Sequence, residues 1–236
     1  MASWNDIHSF AASVVRGPRG MIVKPHCRKN PPRPEKPLEL YEFEACPYCR
    51  KVREEMSELD LAYVTRSCAP GAANKREIVA RRGGSEQFPY LVDPNTDVEL
   101  YESEDIIDYL AETYGAGRVF LGPTVSPVNT AFAMLASAVR PKGGRVRPGL
   151  EKRDQPEELP VLYNFELSPF CRKVRETFSE LNLDYRVENV ARGSRRRPQL
   201  VERGGQMMVP YLIDPNTDTE MYESDDIVDY LVAEYG

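Results

Sequence analysis

The chain has 236 residues, of which 41% are hydrophobic, enough to build the cores of two ordinary domains or one large one. Its formal charge of −6, from 31 Lys and Arg against 37 Asp and Glu, gives no reason to expect a nucleic-acid partner. No run approaches the roughly 18 apolar residues of a membrane helix, so no transmembrane segment is expected, and the five cysteines (Cys27, Cys46, Cys49, Cys68, Cys171) form no evenly spaced disulfide scaffold, which suits a reducing, cytoplasmic setting.

Residues 1–34 are rich in Ser, Ala and Arg and poor in acid, a composition shared with transit peptides for an organelle such as the chloroplast. They also carry a helical pattern: Ile7, Phe10, Ala11, Val14 and Val15 fall at i, i+3, i+4, i+7 and i+8. The pattern returns at Phe132, Leu135, Ala136 and Val139, which argues for a structural role over a cleaved leader. A basic irregular arm follows each helix, at 16–36 and 140–153. Arms of this composition can meet phosphate or a membrane surface, but without interleaved aromatics or a helical charge face they read as solvated linkers packed over the fold.

After the first arm a strand is expected at 38–43, then Cys46-Pro47-Tyr48-Cys49 at the start of an amphipathic helix over 48–59. Unpaired N–H groups and the helix dipole favour a thiolate at Cys46, Pro47 suits the first turn, and Cys49 is placed to attack a mixed disulfide formed at Cys46. The alternatives are half a zinc site, for which no second CxxC or CxxH exists and only His8 and His26 remain, or two buried structural thiols. No metal site is expected. A strand at 62–66 and a helix near 74–82 come next. Strands at 89–92 and 98–101 flank the turn Asp93-Pro94-Asn95-Thr96-Asp97, and a helix over 103–114 has Ser103 as N-cap and Gly115 as closing residue.

The same unit is then written again. Residues 88–115 and 209–236 align without a gap and are identical at 19 of 28 positions, and Cys49–Glu54 repeats as Cys171–Glu176. The second copy therefore predicts strands at 161–165, 184–188, 210–213 and 219–222. Its helices fall at 170–181, 196–203 and 224–235, the last with Ser224 as N-cap and Gly236 at its end. Its cysteine motif reads Ser168-Pro169-Phe170-Cys171, without the first thiol. The fold class expected is α/β, two tandem thioredoxin-like domains, each a four-stranded mixed sheet flanked by helices and preceded by a short helix and an irregular arm. The boundaries fall at 1–37 for the first helix and arm, 38–117 for the first domain, 118–159 for the linker with the second helix and arm, and 160–236 for the second domain.

Cys46-Pro47-Tyr48-Cys49 resembles the active-site tetrapeptide of glutaredoxins. Phe88-Pro89-Tyr90-Leu91-Val92-Asp93 and Tyr101-Glu102-Ser103-Glu104-Asp105-Ile106 resemble the N-terminal, thioredoxin-like domain of glutathione transferases. The resemblance covers about 38–115 and 160–236. It implies that Phe88, before a cis Pro89, pairs its backbone with the cysteinyl part of glutathione, that Glu102 and Ser103 hold the γ-glutamyl end, and that Tyr48 borders the same site. Val209, Pro210, Glu223 and Ser224, with Ser168 and Phe170, would form a second site in which Ser168 orients the glutathione thiol or merely caps a helix. The chain departs from glutaredoxins in carrying Glu42 and Glu44 upstream of the motif, where they usually carry a Lys. Arg50 and Lys51, read as exposed helix charges, can also lend positive charge to the thiolate.

The function expected is a glutathione-linked thiol–disulfide oxidoreductase, with Cys46 as nucleophile and Cys49 or a second glutathione resolving the intermediate. Its partners would be glutathione as cosubstrate and a glutathionylated or disulfide-containing protein or small molecule. The rivals are a glutathione transferase acting on electrophiles, and a non-catalytic module that binds an iron–sulfur cluster with glutathione or presents a surface to a partner protein.

Overall fold

A computed structural model of the chain describes residues 4–16, 19–29, 31–117 and 127–236; the parts of the N-terminal segment and linker at 1–3, 17–18, 30 and 118–126 lie outside them. Each unit begins with an amphipathic helix, α1 (Trp4–Arg16) and α5 (Pro127–Val139). The first unit continues through β1 (Leu38–Glu42), α2 (Pro47–Glu58), β2 (Tyr63–Ser67), α3 (Ala73–Gly83), β3 (Tyr90–Asp93), β4 (Val98–Leu100) and α4 (Ser103–Tyr114). The second repeats the order with β5 (Val161–Asn164), α6 (Pro169–Glu180), β6 (Tyr185–Asn189), α7 (Arg197–Gly204), β7 (Tyr211–Asp214), β8 (Thr219–Met221) and α8 (Ser224–Tyr235).

Both units show the mixed α/β order the sequence predicts. Within each, the first two strands are parallel, as a helix crossover requires, and the hairpin strands run antiparallel. The two four-stranded sheets are not separate. Strands β2 and β6 pair antiparallel, with Tyr63 opposite Val187 and Thr65 opposite Tyr185, to give one eight-stranded sheet in the order β4-β3-β1-β2-β6-β5-β7-β8. Pairing hides what would otherwise be two bare edges. One apolar cluster continues through both units, from Leu40, Val52, Met56 and Leu91 to Leu162, Val174, Phe178 and Leu212. Phe178 stacks on Tyr185 with ring centroids 4.1 Å apart.

The arms cross the junction. Val23 N–H donates to Arg192 O in the second unit while Lys24 N–H donates to Glu58 O in the first. Reciprocally, Val146 N–H donates to Pro70 O and Arg147 N–H to Glu180 O. Their cations pair with acids on α2 and α6: Lys24 with Glu55, Arg140 with Glu176, Arg147 with Glu180. The arms are thus paired and packed, with Val23, Cys27 and Val146 buried. Gly20 and Gly143 make this approach feasible. Both have positive φ, and a Cβ would come within 2.8 Å of Glu166 Cβ at Gly20 and within 3.0 Å of Glu176 Cα at Gly143.

Two local expectations need correction. Ser103 and Ser224 are the first helical residues, not N-caps. The capping positions are Glu102 and Glu223, at φ 61° and 65°, whose carbonyls accept from Ile106 and Ile227 N–H. Arg50 and Lys51 are buried rather than exposed, because α2 is covered by α5, the arms and the opposite unit as well as by the sheet.

Candidate functional site

The site is assembled at one end of the first unit, where β1 ends and α2 begins. The backbone of Cys46 is extended and caps α2, and its sulfur accepts the Cys49 N–H at 3.3 Å. Pro47, opening the helix, removes an N–H that would have no partner there. Hydrogen bonding by the Cys49 side chain and by the N–H groups of Cys49 and Tyr48 holds the Cys46 thiol below its usual value, outweighing burial that leaves only 4% of the residue exposed. Cys49, one turn deeper, is fully buried. Burial, with the Cys46 sulfur beside it, pushes its thiol well above the ordinary range. The pair is therefore split into one ionisable sulfur and one protonated one.

Tyr48, two residues past Cys46, forms one wall of a cleft of about 300 Å³ whose other lining residues are Gln87, Phe88, Pro89, Glu102 and Ser103; neither Cys46 nor Cys49 is part of that lining. The structure thus brings together the five residues that the resemblance marks for glutathione, and adds Gln87. The Phe88–Pro89 peptide is cis, and both residues line the cleft. Phe43 meets the Phe88 ring edge-on, and Arg76 lies over its face at 4.5 Å. Gln87 Nε2 donates to Glu102 Oε1, fixing the carboxylate at the start of α4. Backbone amides at that start, together with the Ser103 hydroxyl, suit a ligand carboxylate, while Glu102 suits an ammonium.

The second unit is built alike but equipped differently. Ser168 takes the place of Cys46, caps α6 and accepts the Cys171 N–H at 3.3 Å. Val209–Pro210 is again cis, Glu223 again precedes its helix with positive φ, Ser224 is buried and Phe170 is half exposed. Met208 stands where Gln87 stands in the first unit. Ser168 borders an apolar cleft of about 420 Å³, walled by Phe10, Val14, Met21, Phe165, Leu167 and Pro169. Helix α1 docks on this loop through Ser9 Oγ, which donates to Pro169 O at 2.6 Å, and Ser13 Oγ, which donates to Leu167 O at 2.8 Å. Cys27, Cys68 and Cys171 are buried, with thiols raised chiefly by that burial. Among the described residues, no group of three or more His, Cys, Asp or Glu side chains is arranged to hold a metal ion. No helix among them is long and apolar enough to cross a membrane.

Behind the cysteine lies a buried ionic network that sequence reasoning missed. Arg53 bonds Glu42, Glu44 and, across the junction, Glu166, with Nε to Glu166 Oε2 at 3.0 Å. Arg175 reciprocates with Glu44 at 2.9 Å and Glu166 at 3.1 Å. Glu44 corresponds to Glu166 and Arg53 to Arg175 in the repeat, so the junction is a pseudo-twofold exchange of charges. Arg53 also adds positive potential at Cys46. The missed signal is the hexapeptide CRKVRE, whose four charged residues are unchanged in both copies although a solvent-facing set is free to drift.

Mixed sheet, cis proline and helix-start cysteine define a thioredoxin-like α/β protein. The sequence pattern of the family described as glutathione S-transferase, N-terminal domain, matches residues 40–118 and again 162–236, and the chain belongs to that family. It is similar to the glutathione S-transferase-like protein tpcF of Aspergillus fumigatus, at 31% identity over 80 residues. That alignment covers 34% of this chain and 36% of the relative, so the chain spans about a third of the relative's length. No solved structure matches the chain.

Proposed function

We propose that the protein is a glutathione-linked thiol–disulfide oxidoreductase whose working residue is Cys46. The Cys46 thiolate attacks the glutathionyl sulfur of a mixed disulfide on a protein or small molecule. The substrate sulfur leaves as thiolate, takes a proton from water, and a Cys46–glutathione disulfide remains. A second glutathione, as thiolate, attacks the glutathionyl sulfur of that disulfide, releasing oxidised glutathione and restoring the Cys46 thiolate. Glutathione supplies the electrons. Cys49, buried and with a raised thiol, is a poor resolving nucleophile, which favours the glutathione route. A reducing compartment such as the cytoplasm suits five free cysteines.

The observation that carries the reading is one sulfur held toward its thiolate at a helix start, two residues from the Tyr48 wall of a cleft with acid and hydroxyl at its far side. Its test is turnover of a glutathionylated peptide. Cys46→Ser should reduce the rate by about a hundredfold or more, and Cys49→Ser should keep most of it. Undiminished turnover in Cys46→Ser rejects the mechanism.

A second reading, conjugation of glutathione to an apolar electrophile, is supported by the family and by the apolar cleft beside Ser168. The Ser168 hydroxyl accepts from Cys171 N–H and shares a side-chain hydrogen bond with the Cys171 sulfur, so a glutathione thiolate would compete with that thiol for its proton. Conjugation of an aryl halide that is lost in Ser168→Ala would favour it; absence of conjugation would remove it.

A further inference from the structure

At the far end of α2 from Cys46 the two units leave an open basic cleft. The helix has 12 residues, a length of about 18 Å, and the cleft opens just beyond it with a volume of about 520 Å³. Its cations are Arg33 and Lys36 from the first arm, Arg186 from β6, and Arg195 and Arg196 from the turn leading into α7. Two carboxylates belong to the same lining, Glu35 and Asp60. Asp60 is fully buried and fixes two guanidiniums, Arg33 at 2.8 Å and Arg196 at 3.4 Å. Arg196 and Arg186 also reach Glu188, each at 2.7 Å. Among the described residues, the side chains of Lys36 and Arg195 form no ion pair. In a chain of net charge −6 this wall is a local reversal of sign.

The duplication supplies an internal comparison. Asp60 corresponds to Asn182 and Ala62 to Asp184. Around Asn182 the matching space is filled and balanced: Asp184 pairs with Lys75 and with Arg66 at 3.1 Å, and accepts from Ser67 N–H at 3.0 Å. Gln155 closes it, donating to Asn182 O at 3.0 Å and accepting from Asp184 N–H at 2.7 Å. Ala62 removes that carboxylate on the other side, which both opens room and leaves cations in excess. The first turn of α7 faces the same cleft, with Arg196 at the cap, no side-chain cap and no acid in that turn. The partial positive charge of a helix start adds to the five side chains.

We propose that this cleft binds a small polyanion, specifically a di- or triphosphate chain, free or carried on a nucleotide. The guanidinium groups of Arg33, Arg186 and Arg196 are held in place by Asp60 and Glu188 and offer their remaining N–H groups to phosphate oxygens, while the unpaired Lys36 and Arg195 close on the chain from the rim. Asp60, fully buried at the base of the lining, orients Arg33 and Arg196.

The test is calorimetric titration of the full chain with inorganic tripolyphosphate in about 50 mM salt, where screening is weak. Saturable binding at one site per chain is expected, weakened by about tenfold or more in Lys36→Ala/Arg195→Ala and by added salt. The control is Arg82→Ala/Arg203→Ala, which removes cations already paired with Glu99 and Glu220 at the outer edges of the sheet; it should bind as the parent does. Titration with ATP separates the sources: equal affinity assigns the phosphate chain alone, tighter binding a nucleotide. Reductase turnover in Lys36→Ala/Arg195→Ala should be unchanged, which keeps this site distinct from Cys46. No saturable binding, an equal loss in both double variants, or binding only to a long oligonucleotide overturns the proposal.

Discussion

Replacing Glu44 and Glu42 by glutamine should have opposite consequences although the two carboxyls share Arg53. Burial raises the Glu44 carboxyl, but Arg175 and Arg53 more than offset this and bring it from 4.5 to about 2. That difference corresponds to about 3 kcal/mol of stability at neutral pH. The stabilisation is present above about 4.5, where the unfolded carboxyl is ionised, and is lost as pH falls toward 2. Glu44→Gln leaves the two arginines short of a negative charge in a sealed space, and breaking such a pair typically costs about 3–5 kcal/mol. The two routes agree on about 3–4 kcal/mol. Glu42 differs because burial dominates and raises it to about 7, with Arg53 only partly opposing. Its contribution therefore declines as pH rises from about 4.5 to 7 and is level above that. Glu42→Gln removes the decline while an amide oxygen keeps the Arg53 bond. The second unit already uses this solution, for Arg175 Nη1 donates to Asn164 Oδ1 at 3.0 Å at the corresponding position. Urea unfolding followed by far-UV circular dichroism at pH 5 and 7.5 measures both. With a slope of about 3 kcal/mol per M, Glu44→Gln should lower the midpoint by about 1 M. Glu42→Gln should gain about 2 kcal/mol on the parent between pH 5 and pH 7.5, since only the parent carries the decline. Equal destabilisation by both, or a Glu44→Gln cost under about 1 kcal/mol, would refute this account of the network.

Other outcomes follow from the same geometry. Alkylation of Cys46 by iodoacetamide should have a midpoint below pH 9.0, and Cys49→Ala, which removes the side-chain hydrogen bond to that sulfur, should move the midpoint up. Gly143→Ala should cost about 1–3 kcal/mol in urea unfolding, since its φ of 72° and a Cβ position 3.0 Å from Glu44 Cβ leave no relaxed conformation. Asp93→Asn should cost about 1–2 kcal/mol and Asp214→Asn a similar amount, adding in the double variant because the sites are far apart. Because β2 pairs with β6 and one apolar cluster spans both units, calorimetry should show a single unfolding transition; two resolved transitions would contradict that.

The order of elements was legible because local chemistry determines it, whereas the cleft residues were legible only through the resemblance to glutathione transferases. Proline and cysteine at a helix start, glycine after a last turn and period-two apolar runs each have a short-range cause. The Asp-Pro-Asn-Thr-Asp motif was legible only in part. It does form the hairpin turn, but Asp93 also accepts from Tyr109 OH at 2.7 Å, from Tyr114 OH at 2.5 Å and from Asn95, tying the turn to α4, and Asp214 repeats this with Tyr230 and Tyr235. Spacing along a chain does not announce a bond to a residue sixteen or twenty-one positions on. The charges of α2 and α6 misled for a related reason. A helix rich in Arg, Lys and Glu reads as solvated until the second unit and both arms are laid across it, and only then do Arg53 and Arg175 lose every route to water.

The internal repeat separates what the fold needs from what the chemistry needs. Positions that exchange charges across the junction, Glu44 with Glu166 and Arg53 with Arg175, hold the same residue in both copies, since each copy completes the other's network and a change in one leaves a buried charge in its partner. The same logic holds for Asp93 and Asp214, whose tyrosine bonds secure each last helix. Several differences fall at the clefts instead: Cys46 against Ser168 at the helix start, Gln87 against Met208 at the cleft rim, Ala62 against Asp184 beside the basic cleft. A duplicated chain whose halves share one sheet cannot relax its junction, but it can change either cleft without cost to the other. One half therefore keeps the helix-start cysteine while the other keeps the scaffold that buries Arg53 behind it, and the asymmetry of the sites rests on the symmetry of the core.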